Sequence, residues 1–178
     1  MDADILPDVL HELSRQKRLA DAALAQLNDD EFFRPPAAHV NSIAVIVKHL
    51  AGNLTSRWTD FLTTDGEKAD RDRDAEFQLT ERDTRSHLVQ AWETGWDTIL
   101  RTLGALKSSD LERSITIRGE RHSVLQAALR GLSHSAYHVG QILYIVRLLR
   151  PDSEWLTAPP GKSNEIRGEY RPPAQNGG

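Results

Sequence analysis

The chain of 178 residues contains no cysteine. That excludes a protein thiol nucleophile, thiolate ligation of a metal, an iron–sulfur cluster and a disulfide framework, and it agrees with a reducing compartment. Any thiol chemistry needs an external thiol. Long apolar runs are missing too: no stretch approaches the roughly 18 apolar residues of a membrane span. The N-terminal Met1-Asp-Ala-Asp-Ile-Leu-Pro is acidic with no apolar run behind it. A soluble, cytoplasmic protein without a membrane partner is expected. Excess positive charge is lacking as well. With 26 acidic against 22 basic residues and a formal net charge of −4, there is no electrostatic footprint for DNA or RNA, and nucleic acid is not an expected partner. Familiar catalytic signatures are also absent: no Gly-x-Ser-x-Gly elbow and no Glu-x-x-His of a carboxylate-bridged dimetal site occur. Gly161-Lys162-Ser163 matches only the end of a P-loop, because Leu156 stands where that loop needs glycine.

What is present is helical periodicity over a length that suits one domain, residues 1–178, able to bury its own core without staples. Ile5, Leu6, Val9, Leu10, Leu13, Ala20, Leu24 and Leu27 recur at three and four, predicting an amphipathic helix from about Asp4 to Asn28, and Pro35-Pro36 forbid its continuation. Asn41 or Ser42 caps a second helix whose stripe runs from Ile43 to Phe61 and carries it to about Thr63. The charged stretch from Thr64 to Thr80 reads as a connection. Leu88, Trp92, Trp96, Ile99, Leu103 and Leu106 mark a third helix starting near Thr80 or Glu81, with both tryptophans as core. Ser114 to Arg121 reads as a short extended piece and a Gly turn, too brief to seed a sheet. Ser123 opens a fourth helix ending at Arg150 before Pro151; residues 151–178 form an irregular arm, frayed and disordered by Ala174.

Four such helices are the parts of an all-α four-helix bundle. The 17 residues of the connection, at about 3.3 Å each, reach about 55 Å, so the spacing permits either a crossover that makes helices 2 and 3 parallel or a simple up-and-down bundle with a loose loop.

The chemistry-bearing feature is a set of histidines. His134 and His138 stand one turn apart in the fourth helix, and His49 lies in the second. Chance alone gives about 0.3 such four-spaced pairs in a chain with this histidine content; placement is what adds weight. At about 100° per residue, Ala127, His134, His138, Gln141, Ile145 and Leu149 fall within about 60° of one another, so the pair points where apolar residues point. His49 lies on a flank of its helix with Asn53, Arg57 and Asp60. Three imidazoles converging inside a bundle would form a facial triad for zinc, nickel or iron with positions open to water or substrate. The alternative is that His49 caps a surface groove while His134 and His138 are core histidines bonded to carbonyls. His11, His39, His87 and His122 read as solvated or capping. A second stripe on the fourth helix, Leu125, Leu129, Leu132, Ala136, Val139, Leu143 and Val146, makes it apolar on two sides, so it is either central or shared with another subunit.

The run from Asn41 to Asn53 around His49, followed by His134-Ser-Ala-Tyr-His138-Val-Gly-Gln141 and the tail Pro159-Pro-Gly-Lys-Ser163 after Trp155, resembles the DinB-like (DinB/YfiT) superfamily of metalloenzymes and, within it, the uncharacterised DUF1572 group. The resemblance covers nearly the whole chain. It implies an up-down-down-up four-helix bundle, one divalent metal, commonly nickel or zinc and otherwise iron or manganese, on His49, His134 and His138, and frequently a homodimer. Some members of that superfamily transfer or isomerise substrates using mycothiol, bacillithiol or glutathione. The combined expectation is a metal-dependent enzyme in which the ion activates water or a small-molecule thiol for attack on a small electrophile, a thiol S-transferase. Asn53, Arg57 and Gln141 are, by angular position, the residues expected around the ligands or substrate. The alternatives are a metal-dependent hydrolase and a non-catalytic dimeric metal-binding helical module; an open coordination position favours an enzyme, and a fourth protein ligand favours the module.

Overall fold

The first helix, α1 (Leu6–Leu24), carries Pro7 in its opening turn, where a missing N–H costs nothing, and buries Leu6, Val9, Leu13, Ala20, Ala23 and Leu24 along one stripe. The computed structural model describes residues 5–162; the expected helix start at Asp4 and the tail from Ser163 through Ala174 lie outside the described residues. Helix α1 ends earlier than the periodicity predicts because Asn28 begins a separate short helix, α2 (Asp29–Phe33). Its side chain accepts from the Glu31 amide while the Glu31 carboxylate accepts from the Asn28 amide, a reciprocal cap.

Of the two caps the sequence offers for the next helix, Ser42 is the one used: its hydroxyl accepts from Val45 N at the start of α3 (Ile43–Trp58). This helix stops short of Thr63 because Asp60 turns left-handed at φ 49°. The amides of Thr63 and Thr64 then close on the Asp60 carbonyl. Helix α4 (Arg85–Gly104) begins at a Thr84 cap, later than expected, since Thr80 and Asp83 make their own turn, in which the Asp83 carboxylate accepts from the Thr80 amide and hydroxyl and from Lys48 Nζ. Helix α5 (Val124–Leu149) opens where the sequence places it, on a Ser123–Gln126 capping box, and ends before Pro151.

One expectation is corrected between α4 and α5. Ser114–Ile117 (β1) and Glu120–Ser123 (β2) do pair as an antiparallel hairpin, with Ile117 opposite Glu120. The turn residues Arg118 and Gly119 have φ of 57° and 74°, the handedness that matches strand twist in a two-residue hairpin. A support from far away in sequence makes so short a ladder hold: Asp65 accepts the Arg118 and Gly119 amides, each at 2.8 Å, and Gly66 N donates to Thr116 O at 2.8 Å. The bond from Gly119, with those from Glu67 and Arg118, holds the Asp65 carboxyl down at about 2.

The four long helices share one core. Helix α3 packs on α4 and α1 on α5, with further contacts of α1 to α4 and α3 to α5. Leu13, Leu50, Leu54, Trp58, Ile99, Leu103 and Ile142 are fully buried there. So are Trp92 and Trp96, as expected of core residues, with Trp92 Nε1 donating to Asp21 at 2.9 Å. The connection after α3 carries one 3₁₀ turn, Ala75–Phe77, laid against α3. Among the described residues no helix is long and apolar enough to cross a membrane.

Candidate metal centre

A four-residue step along α5 repeats the same face, which places the His134 and His138 rings together, and α3 brings His49 against both. Ring centroids are 4.7 Å apart for His134 and His138, 5.0 Å for His49 and His138, and 5.5 Å for His49 and His134. One ring nitrogen from each of the three lies within 4.8 Å of the other two, close enough for one ion. Among the described residues no fourth histidine, aspartate, glutamate or cysteine joins the group. His49 and His138 are buried, at 4% and 8% exposure, and His134 is half-buried. His134 Nδ1 and His138 Nε2 are buried with no hydrogen-bond partner. Such orphaned nitrogens cost about 1–3 kcal/mol each when nothing satisfies them, and a divalent cation is the group that imidazole lone pairs satisfy. The reading of His134 and His138 as core histidines bonded to carbonyls therefore leaves these two nitrogens unexplained: His138 has one such partner, the Gln141 side-chain carbonyl, on its Nδ1 alone.

The outer nitrogens of His49 and His138 are tied down. His49 Nδ1 meets Glu76 Oε2 at 2.8 Å, which leaves its Nε2 as the nitrogen not engaged by that carboxylate. Glu76 is gripped in turn by Arg71, whose Nε and Nη2 donate to its two oxygens at 2.8 Å each. Arg71 also donates to Glu67 at 3.0 Å. A carboxylate behind a histidine fixes the ring's tautomer and raises its basicity, the arrangement that backs ligand histidines. His138 Nδ1 is paired with Gln141 Oε1 at 2.9 Å, leaving its Nε2 inward. The close approach of Glu76 to α3 requires glycine at 52: a Cβ there would collide with Glu76 Oε1.

Burial pushes the Glu76 carboxyl up, but its bonds from His49 and Arg71 outweigh that and hold it below the usual range. Burial likewise lowers Arg71, and its bonds to Glu76 and Glu67 more than compensate. His134 is pushed down to about 3, by burial and then by the neighbouring His138 and His49. His138 is pushed down to about 4, by burial against the opposing Gln141 bond. Both rings are therefore neutral bases at pH 7, the form that ligates metals.

A cavity of about 170 Å³ reaches His49 and His134. Of the residues expected around the ligands, Asn53 and Arg57 line it, whereas Gln141 does not and instead orients His138. Asp60, on the same sequence flank, sits at the helix exit and is exposed. Tyr137 covers the α5 side, with its ring 5.1 Å from His134 and 4.3 Å from His138. Several participants had no sequence signal tying them to histidine: Arg71 and Glu76 behind His49, and Arg73, Arg118, Arg130 and Tyr137 around the cavity. The one hint was Phe77, an aromatic in a charged stretch, whose ring packs 4.6 Å from that of His49. The other histidines join no cluster among the described residues. His39 and His87 are exposed as expected, whereas His122 lies in β2, half-buried, with Nε2 buried.

The fold and site thus define a mostly helical protein with a three-histidine cluster between two long helices. The chain belongs to the family described as a protein of unknown function, DUF1572, whose model matches residues 1–162. No curated protein and no solved structure matches it.

The low values of His134 and His138 set a pH dependence. Unfolded imidazoles take up protons near 6.5 while these two stay neutral to about 4 and below. The unfolded chain therefore binds more protons, and metal-free protein loses stability as pH falls through that window. Urea midpoints measured from pH 7 to pH 4 in chelator should drop, and a His134→Gln/His138→Gln variant should lose much of the slope; an equal slope in both proteins would refute the assignment.

Proposed function

We propose that the protein is a divalent-metal-dependent enzyme of the DinB-like type, with one ion on His49, His134 and His138. The observation that carries this reading is the set of three convergent imidazoles, two with a buried unpartnered nitrogen and the third backed by Glu76, with no further histidine, cysteine, aspartate or glutamate in the group among the described residues. An all-nitrogen set suits zinc or nickel, then iron, better than oxygen-seeking manganese. A bound ion supplies Lewis acidity that lowers the pKa of a water or thiol brought to its open position. The chain's own part is to hold the rings. Arg71 and Glu76 fix His49, Gln141 fixes His138, and the apolar helix faces keep bulk water from the inner nitrogens. Because the protein has no cysteine, a thiol nucleophile is a small molecule from outside, and the reaction we propose is transfer of such a thiol to an electrophile; hydrolysis is the same chemistry with water.

We further propose that the four long helices form a single-domain up-down-down-up bundle with the crossover between α3 and α4, and that two copies pair. Leu129, Tyr137, Tyr144 and Leu148 leave an exposed apolar stripe on α5, and such stripes mark interaction surfaces. Sedimentation should give twice the chain mass; a concentration-independent monomer would reject the pairing.

Tag-free protein should retain about one divalent ion per chain, lost in a His134→Ala/His138→Ala variant. Removing the charge behind His49 by Glu76→Gln should weaken metal affinity by about 10–100-fold. Stoichiometric metal in the double variant would overturn the site.

Metal-loaded protein screened with a chlorobimane electrophile and glutathione, bacillithiol or mycothiol should consume thiol faster than the His49→Ala variant. Equal rates with every thiol would remove the transferase reading and leave hydrolysis or a non-catalytic module.

A further inference from the structure

The cavity beside the imidazoles is unusual in its charge. Arg57, Arg73, Arg118 and Arg130 line it, and no carboxylate does. Arg57 is 8% exposed, yet its Nε is buried with no hydrogen-bond partner, and Glu67 stands 3.7 Å from its Nη2. That glutamate is already shared: Arg71 takes it at 3.0 Å and Arg118 at 3.4 Å. The buried carboxylate nearby, Glu76, is saturated by Arg71 and His49. Arg73 has a long, exposed contact to Asp74 at 3.6 Å and lies over the Phe77 ring at 5.3 Å. Arg57 and Arg118 thus share with Arg71 a single carboxylate, Glu67. Burial, and then Arg130 close by, push Arg57 down to about 10, with Glu67 opposing. A buried cation short of counter-charge is costly to fold around unless something else neutralises it.

We propose that this cavity binds a small oxyanion, a carboxylate or phosphate group, in contact with Arg57 and Arg130 and adjacent to the histidine cluster. Planar guanidiniums match both groups through paired N–H donors. Asn53 and Tyr137 on the same wall add neutral hydrogen-bonding groups. The volume of about 170 Å³ is below the roughly 300–1,000 Å³ of sites that enclose a drug-sized ligand, so the cavity takes an anionic head and leaves the rest of the molecule outside. That this oxyanion belongs to the substrate rests on the metal-enzyme reading above; its binding does not.

Calorimetric titration of the full chain with inorganic phosphate and, separately, with succinate tests this, in chelated and metal-loaded protein, against chloride at equal ionic strength. At least one of the two anions should bind chelated protein with a one-to-one heat that chloride lacks, and the tighter one identifies the group. Arg57→Gln should weaken that binding by at least tenfold. Arg130→Gln, at an exposed position that does not threaten folding, should weaken it several-fold, while Arg101→Gln on the far surface of α4 leaves it unchanged. No binding in chelated protein, or equal affinity in the Arg57 and Arg130 variants, would overturn the proposal. Metal retention by the same samples would then show the metal reading standing independently, and metal loss with anion binding intact would show the reverse.

Discussion

A buried carboxylate held between an imidazole and a guanidinium ties the connection after α3 to the helix it has just left. Glu76 receives His49 on one side and two parallel bonds from Arg71 on the other, so a charged stretch that would otherwise be solvated is laid along the open side of the histidine cluster. The contact requires the missing Cβ of Gly52. Once it is made, Phe77 stacks on His49 and Asp65 reaches the hairpin turn, which brings Arg118 to the cavity. Remove the carboxylate and Arg71 is a buried cation with only Glu67, which two other arginines already use.

The helices supply the complementary constraint. Packing of α3 and α5 against the core holds three rings close while withholding from His134 Nδ1 and His138 Nε2 the partners they would find in water. The same burial that keeps His134 and His138 neutral makes them available as bases. Two opposed electrostatic environments therefore meet within a few ångströms: a neutral, electron-rich group of imidazoles and a cationic wall of arginines.

Much of this was legible in the sequence, and the limits are instructive. Helical period gave the long helices, and the cap at Ser123, the cap at Asn41 or Ser42, of which Ser42 is used, and the stop at Pro151 were legible because they are local devices. Boundaries slipped at Leu24, Trp58 and Arg85, where Asn28, Asp60 and the Thr80–Asp83 turn impose alternatives that apolar spacing does not register. The hairpin was missed because its stability is borrowed from Asp65. His49, His134 and His138 could be found since their spacing and flank were informative. Glu76 and Arg71 could not, since a carboxylate in a charged run carries no period that points to a partner 27 residues away.

The tie between Asp65 and the hairpin turn has a consequence for how the molecule can fail. The connection contributes Glu67, Arg71, Arg73 and Glu76 to the surroundings of the cluster but little to the tryptophan-rich core, which is built by the four long helices. Local opening of this segment would swing the wall off His49 and release Arg118 together with it, at a free energy below that of global unfolding. The chain could thus hold its helices and its melting behaviour while its pocket is dismantled, so a folded spectrum is no assurance of an intact site.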